Sequence, residues 1–138
     1  MKRFTIFAAL LLFTGMAFGQ CLEKGNLVGV HHLLLTPKDG YTLDQVAKFY
    51  VNEYCPAYEK AFPGIAAYFS MANRGEFVGE CGLIFICESK EIRDKYWPTK
   101  DEPSVEAEAG YKKLEKVWDK LGKMVSVNSD GHTDFVIY

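Results

Sequence analysis

The chain has 138 residues and a formal net charge of −2, with 16 Lys and Arg against 18 Asp and Glu. This length is enough for one domain, and the near-balance of charge argues against a nucleic-acid partner, which would require a basic face. A domain of this size leaves much apolar surface uncovered, so we expect self-association to cover part of it.

The N-terminus has the pattern of a secretory signal peptide. Two basic residues precede the apolar run Phe4–Phe13, and small residues at Ala17 and Gly19 fit cleavage after Gly19. The apolar run is shorter than the ~20 residues that span a bilayer. Lipidation at Cys21 is the alternative, although Gln20 is not the small residue that such a site requires. We therefore expect a periplasmic or secreted protein with no membrane partner after cleavage.

This pattern divides the chain into a signal peptide at 1–19, an N-terminal tail at 20–26 and one domain at 27–138. Within the domain, strand and helix patterns alternate. Thr42 and Gln45 form a capping box before the first helix, in which Pro56 predicts a kink near Asn52. The predicted elements are a strand at 27–35, a helix at 43–62, two strands at 65–72 and 80–88 around a turn at 73–76, helices at 90–96 and 105–124, a loop at 126–131 and a last strand at 132–138.

The order of these elements is β-α-β-β-α-β, which is the ferredoxin-like α+β arrangement. Right-handed crossovers give an antiparallel sheet with the strand order 4-1-3-2 and both long helices on one face. The first strand, LVGVHHLLL, and the third, which contains CGLIFIC, are apolar on both faces. A layer of two helices covers only one face of such a sheet, and the other apolar face would be exposed in a monomer. We therefore predict a homodimer in which the two sheets stack face to face.

The helix and strand FYVNEYCPAYEKAFPGIAAY at 49–68 resemble those of the dimeric α+β barrel superfamily, which includes the EthD-like, NIPSNAP-like, stress-responsive A/B barrel and antibiotic-biosynthesis-monooxygenase-like families. VHHLLL, FICESKEIRDKYWP and TDFVIY are similar to other elements of the same proteins. The resemblance covers nearly all of 27–138 and implies a dimeric α+β barrel. Tyr54-Cys55-Pro56 departs from the His-Ala-Pro of EthD-like proteins. No His lies between Ser89 and Val125, where haem-degrading members place their haem ligand.

The candidate site residues are histidines and aromatic residues near the predicted sheet. His31 and His32 are neighbours in one strand and therefore point to opposite faces, so one of them should line the cavity between the stacked sheets as a general base. A buried His hydrogen-bonded to a neighbour is the competing interpretation. The expected ligand-pocket residues are Tyr68, Tyr96, Trp97, His132 and Asp134, which would hold a small apolar or aromatic ligand. Arg93, Asp94 and Lys95 are expected on a solvated helix face.

The four Cys residues carry no CxxC motif, which argues against a zinc or thioredoxin-type site, and the three His residues lack the fixed spacing of metal ligands. We predict no metal site and no cofactor. Antiparallel pairing of the first and third strands would bring the N-terminal tail near Cys87, and export permits a Cys21–Cys87 disulfide. Cys55 is the rival partner for Cys87, and an unbridged chain is the third outcome.

Two functions remain open on the sequence. The first is an exported small-molecule-binding protein or cofactor-independent enzyme that uses the cavity between the sheets. The alternative is a non-catalytic structural or stress-related homodimer whose barrel is filled by side chains. The sequence predicts neither the ligand nor whether a reaction occurs.

Overall fold

The computed structural model describes residues 22–99 and 102–138. The predicted signal peptide at 1–19 and Cys21 lie outside the described residues, so cleavage after Gly19, the lipidation alternative and the Cys21–Cys87 disulfide stay predictions. No helix within the described residues is long and apolar enough to cross a membrane.

The described chain follows the predicted order of strands and helices. Strand β1 is Leu27–Pro37, helix α1 is Leu43–Phe49, a π-helical turn occupies Tyr50–Tyr54, and helix α2 is Cys55–Ala61. Strands β2 (Ile65–Met71) and β3 (Cys81–Cys87) come next, and they are followed by helices α3 (Lys90–Tyr96) and α4 (Val105–Met124) and by strand β4 (Val125–Val136).

The four strands form one antiparallel sheet in the order β2-β3-β1-β4. Read from the other edge, this is the predicted order 4-1-3-2, so the ferredoxin-like α+β fold is confirmed. In the register, Leu27 pairs with Cys87 of β3 and with Val136 of β4. The start of β1 therefore does lie beside Cys87, as the disulfide prediction required.

Side-chain caps begin helices α1, α3 and α4, and the predicted capping box of α1 is confirmed. Thr42 caps α1, and its hydroxyl accepts a hydrogen bond from the Gln45 backbone while the Gln45 side chain accepts one from the Thr42 backbone. Ser89 and Ser104 cap α3 and α4 in the same way through their hydroxyl oxygens. Each cap satisfies a backbone N–H that has no partner within its helix.

The helix around Pro56 differs from the prediction in form. Proline has no N–H to donate to the carbonyl of Asn52, four residues earlier. The helix is wider just before Pro56, because the Cys55 N–H donates to the Tyr50 carbonyl, five residues earlier instead of four. The π-helical turn therefore stands where a kink near Asn52 was expected.

The predicted loop at 126–131 is wrong, because β4 begins at Val125 directly after α4. Its polar residues Ser126, Asn128 and Ser129 suggested a loop, but they lie in an edge strand, where exposed polar side chains are tolerated. The register shifts opposite β1 between His31 and Leu33, and this irregularity accommodates one extra residue of β4.

The core lies between the helices and one face of the sheet, which we call the helix face. Along β1 this face carries Leu27, Gly29, His31 and Leu33, and Leu27 and Leu33 are buried. The largest fully buried side chains are Val46, Tyr50, Phe62, Leu114 and Val125. The opposite face, which we call the open face, carries the alternate residues, and Val30, Leu34, Tyr68 and Phe135 on it remain exposed.

Candidate functional site

A pocket of about 410 Å³ lies on the helix face, between the sheet and the helices α2, α3 and α4. Its floor is formed by the start of β1 and by the paired ends of β2, β3 and β4. Because these strand ends come from distant parts of the sequence, only the folded chain assembles the pocket.

One side of the pocket is aromatic. The rings of Tyr58 and Phe85 lie 4.4 Å apart between centroids. Trp97 follows the end of α3, and its indole Nε1 donates a hydrogen bond of 2.7 Å to the Tyr111 hydroxyl on α4. Since each ring contacts another ring, this wall is held in place before any ligand arrives.

Another part of the lining is polar and centres on two stacked imidazoles. His31 of β1 and His132 of β4 are paired directly across the two strands. Their rings lie 5.0 Å apart at an interplanar angle of 13°. The edge of the same stack meets Phe85, whose ring is nearly perpendicular to that of His31 at 5.1 Å. The imidazole pair therefore adjoins the aromatic wall.

An ion pair completes the polar side. The Arg93 guanidinium donates to the Asp134 carboxylate at 3.2 Å and to Asp94 at 2.7 Å. Gly29 pairs with Asp134 across the strands and leaves room for its carboxylate. A Cβ atom at Gly29 would lie 3.0 Å from Asp134 Oδ1 and 3.6 Å from His31 Nε2. A side chain at this position would therefore crowd the polar groups of the pocket.

The electrostatics favour uncharged rings and thiols in the pocket. Burial lowers the pKa of His31, the neighbouring His132 lowers it further, and the Asp134 carboxylate partly opposes both. His31 is therefore neutral at pH 7 and can accept a proton or a hydrogen bond. Burial raises the pKa of Cys87 to about 11, so this lining residue is a thiol and not a nucleophilic thiolate.

The structure brings together four of the predicted site residues: His31, Trp97, His132 and Asp134 all line this pocket. Whether they act on a ligand stays a prediction. Tyr96 does not line it, because its side chain is 3% exposed and its hydroxyl donates to the Pro63 carbonyl at 3.1 Å. Its role is to join α3 to the start of β2.

His32 and Tyr68 lie on the open face, away from the pocket. The His32 ring contacts the Glu80 carboxylate and packs near the Phe77 ring at 6.0 Å. Tyr68 is 43% exposed. The sequence required the two neighbouring histidines to face opposite ways, and the structure decides that His31 faces the helices.

Arg93 was expected on a solvated helix face, and this expectation is wrong. Its side chain is 30% exposed and bridges two carboxylates at the pocket. The signal that could have found it is spacing: Arg93 lies four residues before Trp97 and so shares its side of the helix. Tyr111, also missed, lies three residues before the inward Leu114.

The described cysteines are unbridged, and the described residues hold no candidate metal site. No disulfide joins Cys55, Cys81 and Cys87 to one another. Cys55 accepts a backbone hydrogen bond from Phe69, which lies four residues along β2 from the partner of Cys87, so the Cys55–Cys87 alternative fails on distance. Within residues 22–99 and 102–138, no cluster of three or more His, Cys, Asp or Glu residues could hold a metal ion.

Comparison with known proteins adds one likeness. No family model matches the chain, and no curated protein matches it. Among solved structures, it is similar to a dimeric protein of unknown function and ferredoxin-like fold from Bacteroides fragilis NCTC 9343. The identity is 11% and the TM-score 0.36, over 83% of this chain and 98% of that one. The fold assignment accordingly rests on the strand order described above.

Proposed function

We propose that the chain binds a small, uncharged, ring-containing molecule in the pocket on the helix face. The observation that carries this proposal is a pocket of about 410 Å³ that is lined both by an aromatic wall and by the stacked imidazoles of His31 and His132. Pockets of this size that combine apolar walls with a few convergent polar groups are typical of small-molecule sites.

The balance of charge indicates which ligands fit. Arg93 and Asp134 neutralise each other at the polar side, and burial keeps His31 neutral. A neutral molecule therefore enters without leaving a charge unpaired. A hydroxyl or amide on its ring would hydrogen-bond to an imidazole nitrogen, while Trp97 and Tyr111 contact the ring itself.

The same arrangement supports a reaction without a cofactor. A neutral imidazole beside a bound ring is able to take a proton from it as a general base, and the Asp134 carboxylate stabilises the resulting imidazolium. In this proposal His31 is the base, and the aromatic wall positions the ligand. Binding is the first requirement, so the experiment tests binding.

The test is calorimetric titration of the purified chain with naphthol, with matched variants of the two adjacent histidines. His31→Gln should weaken binding at least about tenfold, the loss of roughly one hydrogen bond. His32→Gln, on the open face, should leave it unchanged. The proposal fails if naphthol does not bind, or if only His32→Gln weakens its binding, since that result would move the site to the open face.

We further propose that the chain is an exported homodimer related to the dimeric α+β barrel families. Support for the dimer comes from the open face, where Val30, Leu34 and Phe135 are 38%, 42% and 52% exposed. Exposed apolar patches on soluble chains mark interaction surfaces. The cavity expected between two stacked sheets, which His32 and Tyr68 would line, stays a prediction. Sedimentation at micromolar concentration checks the dimer, and a clean monomer would contradict it.

Support for export comes from the first nineteen residues of the sequence, with their basic start and apolar run. Intact mass of the protein recovered from the periplasm checks it, and the expected N-terminus is Gln20. A lipid-modified Cys21 would favour the anchored alternative. A protein that is an exported homodimer but binds no ring compound would favour the non-catalytic structural function.

A further inference from the structure

We propose that the same pocket also binds ring-bearing carboxylates, each together with one proton that resides on the His31–His132 pair. This inference rests on the proposed function in one respect, that this pocket holds the ring of a small ligand, and not on the ligand being uncharged. Carboxylates are a second class of ligand for this pocket, and protonation of the histidine pair is the change that allows them to bind. The ligand enters as an anion and one solvent proton adds to an imidazole nitrogen, while no other bond forms or breaks.

The first step is that the pocket has no free positive charge for an anion. Arg93 is the cationic residue among the lining groups, and its guanidinium already contacts two carboxylates, at 2.7 Å and 3.2 Å. An anion beside Arg93 would also lie beside Asp134. Unless an imidazole takes up a proton, binding a carboxylate would leave a net negative charge in a partly buried site, which is costly.

The second step identifies the imidazoles as the groups that can supply the missing charge. The other titratable or charged groups that face the pair are Tyr58 of α2, Cys87 of β3, Arg93 of α3, Tyr111 of α4 and Asp134 of β4. Burial raises the pKa of both Tyr58 and Cys87, so each stays uncharged and supplies no cation. Imidazole is the one ordinary side chain that can gain a proton close to neutral pH, so the stacked histidines are the lining groups able to supply the charge.

The third step sets the number of protons at one. The two rings are stacked at 5.0 Å, so a proton on one imidazole repels a proton on the other. The pair therefore takes up one proton that belongs to both residues jointly. Asp134 already favours the charged form of His31, and a bound carboxylate would favour it further. Because such coupling is reciprocal, the proton strengthens carboxylate binding as much as the carboxylate strengthens proton binding.

The experiment is calorimetric titration of the purified chain with naphthoate and with uncharged naphthamide. At pH 7.5, the difference in binding heat between two buffers of different ionisation enthalpy gives the number of protons taken up. The protein should take up about one proton for each naphthoate that it binds. Its affinity should fall about tenfold per pH unit above neutrality, as one linked proton requires. Naphthamide should bind without proton uptake and with little dependence on pH.

The variant His31→Gln combined with His132→Gln should abolish proton uptake, with circular dichroism and cooperative unfolding as the check on its fold. If this variant does not fold, the measurements on the natural chain decide alone. Naphthoate binding without proton uptake, or no naphthoate binding, would overturn the inference. Naphthamide binding in that case would keep the proposed function, and binding of neither compound would overturn both. Binding of naphthoate with its proton but not of naphthamide would keep only the inference.

Discussion

The two faces of one sheet are both apolar, yet they are covered in different ways. On the helix face, Leu33 and Leu83 are each 5% exposed beneath the helices. On the open face, Val30 and Phe135 are just as apolar but are 38% and 52% exposed. The chain itself therefore buries one of the two apolar faces, and the exposed one is the surface on which the proposed dimer depends.

The largest effect that would test this difference is a buried charge on neighbouring residues of β3. Leu83→Asp places a carboxylate among the buried apolar residues of the core and should cost at least about 4 kcal/mol of unfolding free energy. Ile84→Asp, on the open face, should cost below about 2 kcal/mol but prevent the dimerisation proposed above. Urea denaturation and sedimentation measure the two outcomes. Equal destabilisation by both variants would mean that the faces are equally packed.

A second effect measures how tightly the helix face is packed. A Cβ atom at Gly110 of α4 would lie 2.7 Å from the fully buried Phe62 ring, whereas one at Gly122 of the same helix would meet nothing within 4 Å. Gly110→Ala should therefore destabilise the chain by about 1–3 kcal/mol through overpacking. Gly122→Ala should stabilise it by up to about 1 kcal/mol, because Ala has the higher helix propensity. Thermal unfolding of both variants decides, and a stabilising Gly110→Ala would contradict the close packing.

Much of the fold could be predicted because its signals are local. The Thr42 capping box and the serine caps of α3 and α4 depend on residues three positions apart, and the structure contains all of them. The strand order follows from the sequence of elements and the handedness of crossovers. The start of β4 could not be predicted in this way, because Ser126 and Asn128 become strand residues only through pairing with β1.

The site could be predicted only in part, for a related reason. Strand geometry requires His31 and His32 to face opposite ways, but only the packing of the helices decides which of them faces the core. The contact of His31 with His132 depends on a register that a bulge shifts nearby. Arg93 and Tyr111 come from two helices whose relative placement no local pattern contains. When several helices and strands contribute to one pocket, its residues are therefore the hardest to predict from the sequence.

A third effect compares a tyrosine on each face. Tyr111→Phe removes the oxygen that accepts the Trp97 indole hydrogen bond and should cost about 0.5–1.5 kcal/mol. Tyr68→Phe, on the open face, should change the unfolding free energy by no more than about 0.5 kcal/mol. Denaturation followed by tryptophan fluorescence measures both, and the emission of the native Tyr111→Phe variant should also shift. A larger loss for Tyr68→Phe would argue that its hydroxyl has a partner on the open face.

The last effect is a pH dependence that distinguishes the two adjacent histidines. Unfolded His31 has the ordinary pKa of 6.5, and in the folded chain burial and His132 lower its pKa. At a pH between the unfolded and the folded pKa of His31, the unfolded chain binds more protons than the folded chain. The unfolding free energy therefore falls as the pH drops through 6.5. The decrease ends below the folded pKa, where both states are protonated.

Urea denaturation between pH 8 and pH 5 should therefore show a decrease that His31→Gln removes and His32→Gln retains. Asp134→Asn gives the sharper test, because this carboxylate opposes the lowering of the His31 pKa. Its removal also leaves Arg93 with one carboxylate partner, Asp94, so that more of the guanidinium charge repels the imidazolium. Both changes lower the pKa further, so the decrease should extend to lower pH in Asp134→Asn than in the natural chain. An unchanged or narrower range would mean that Asp134 does not stabilise the charged ring, and the acid–base role assigned to the pair would lose its support.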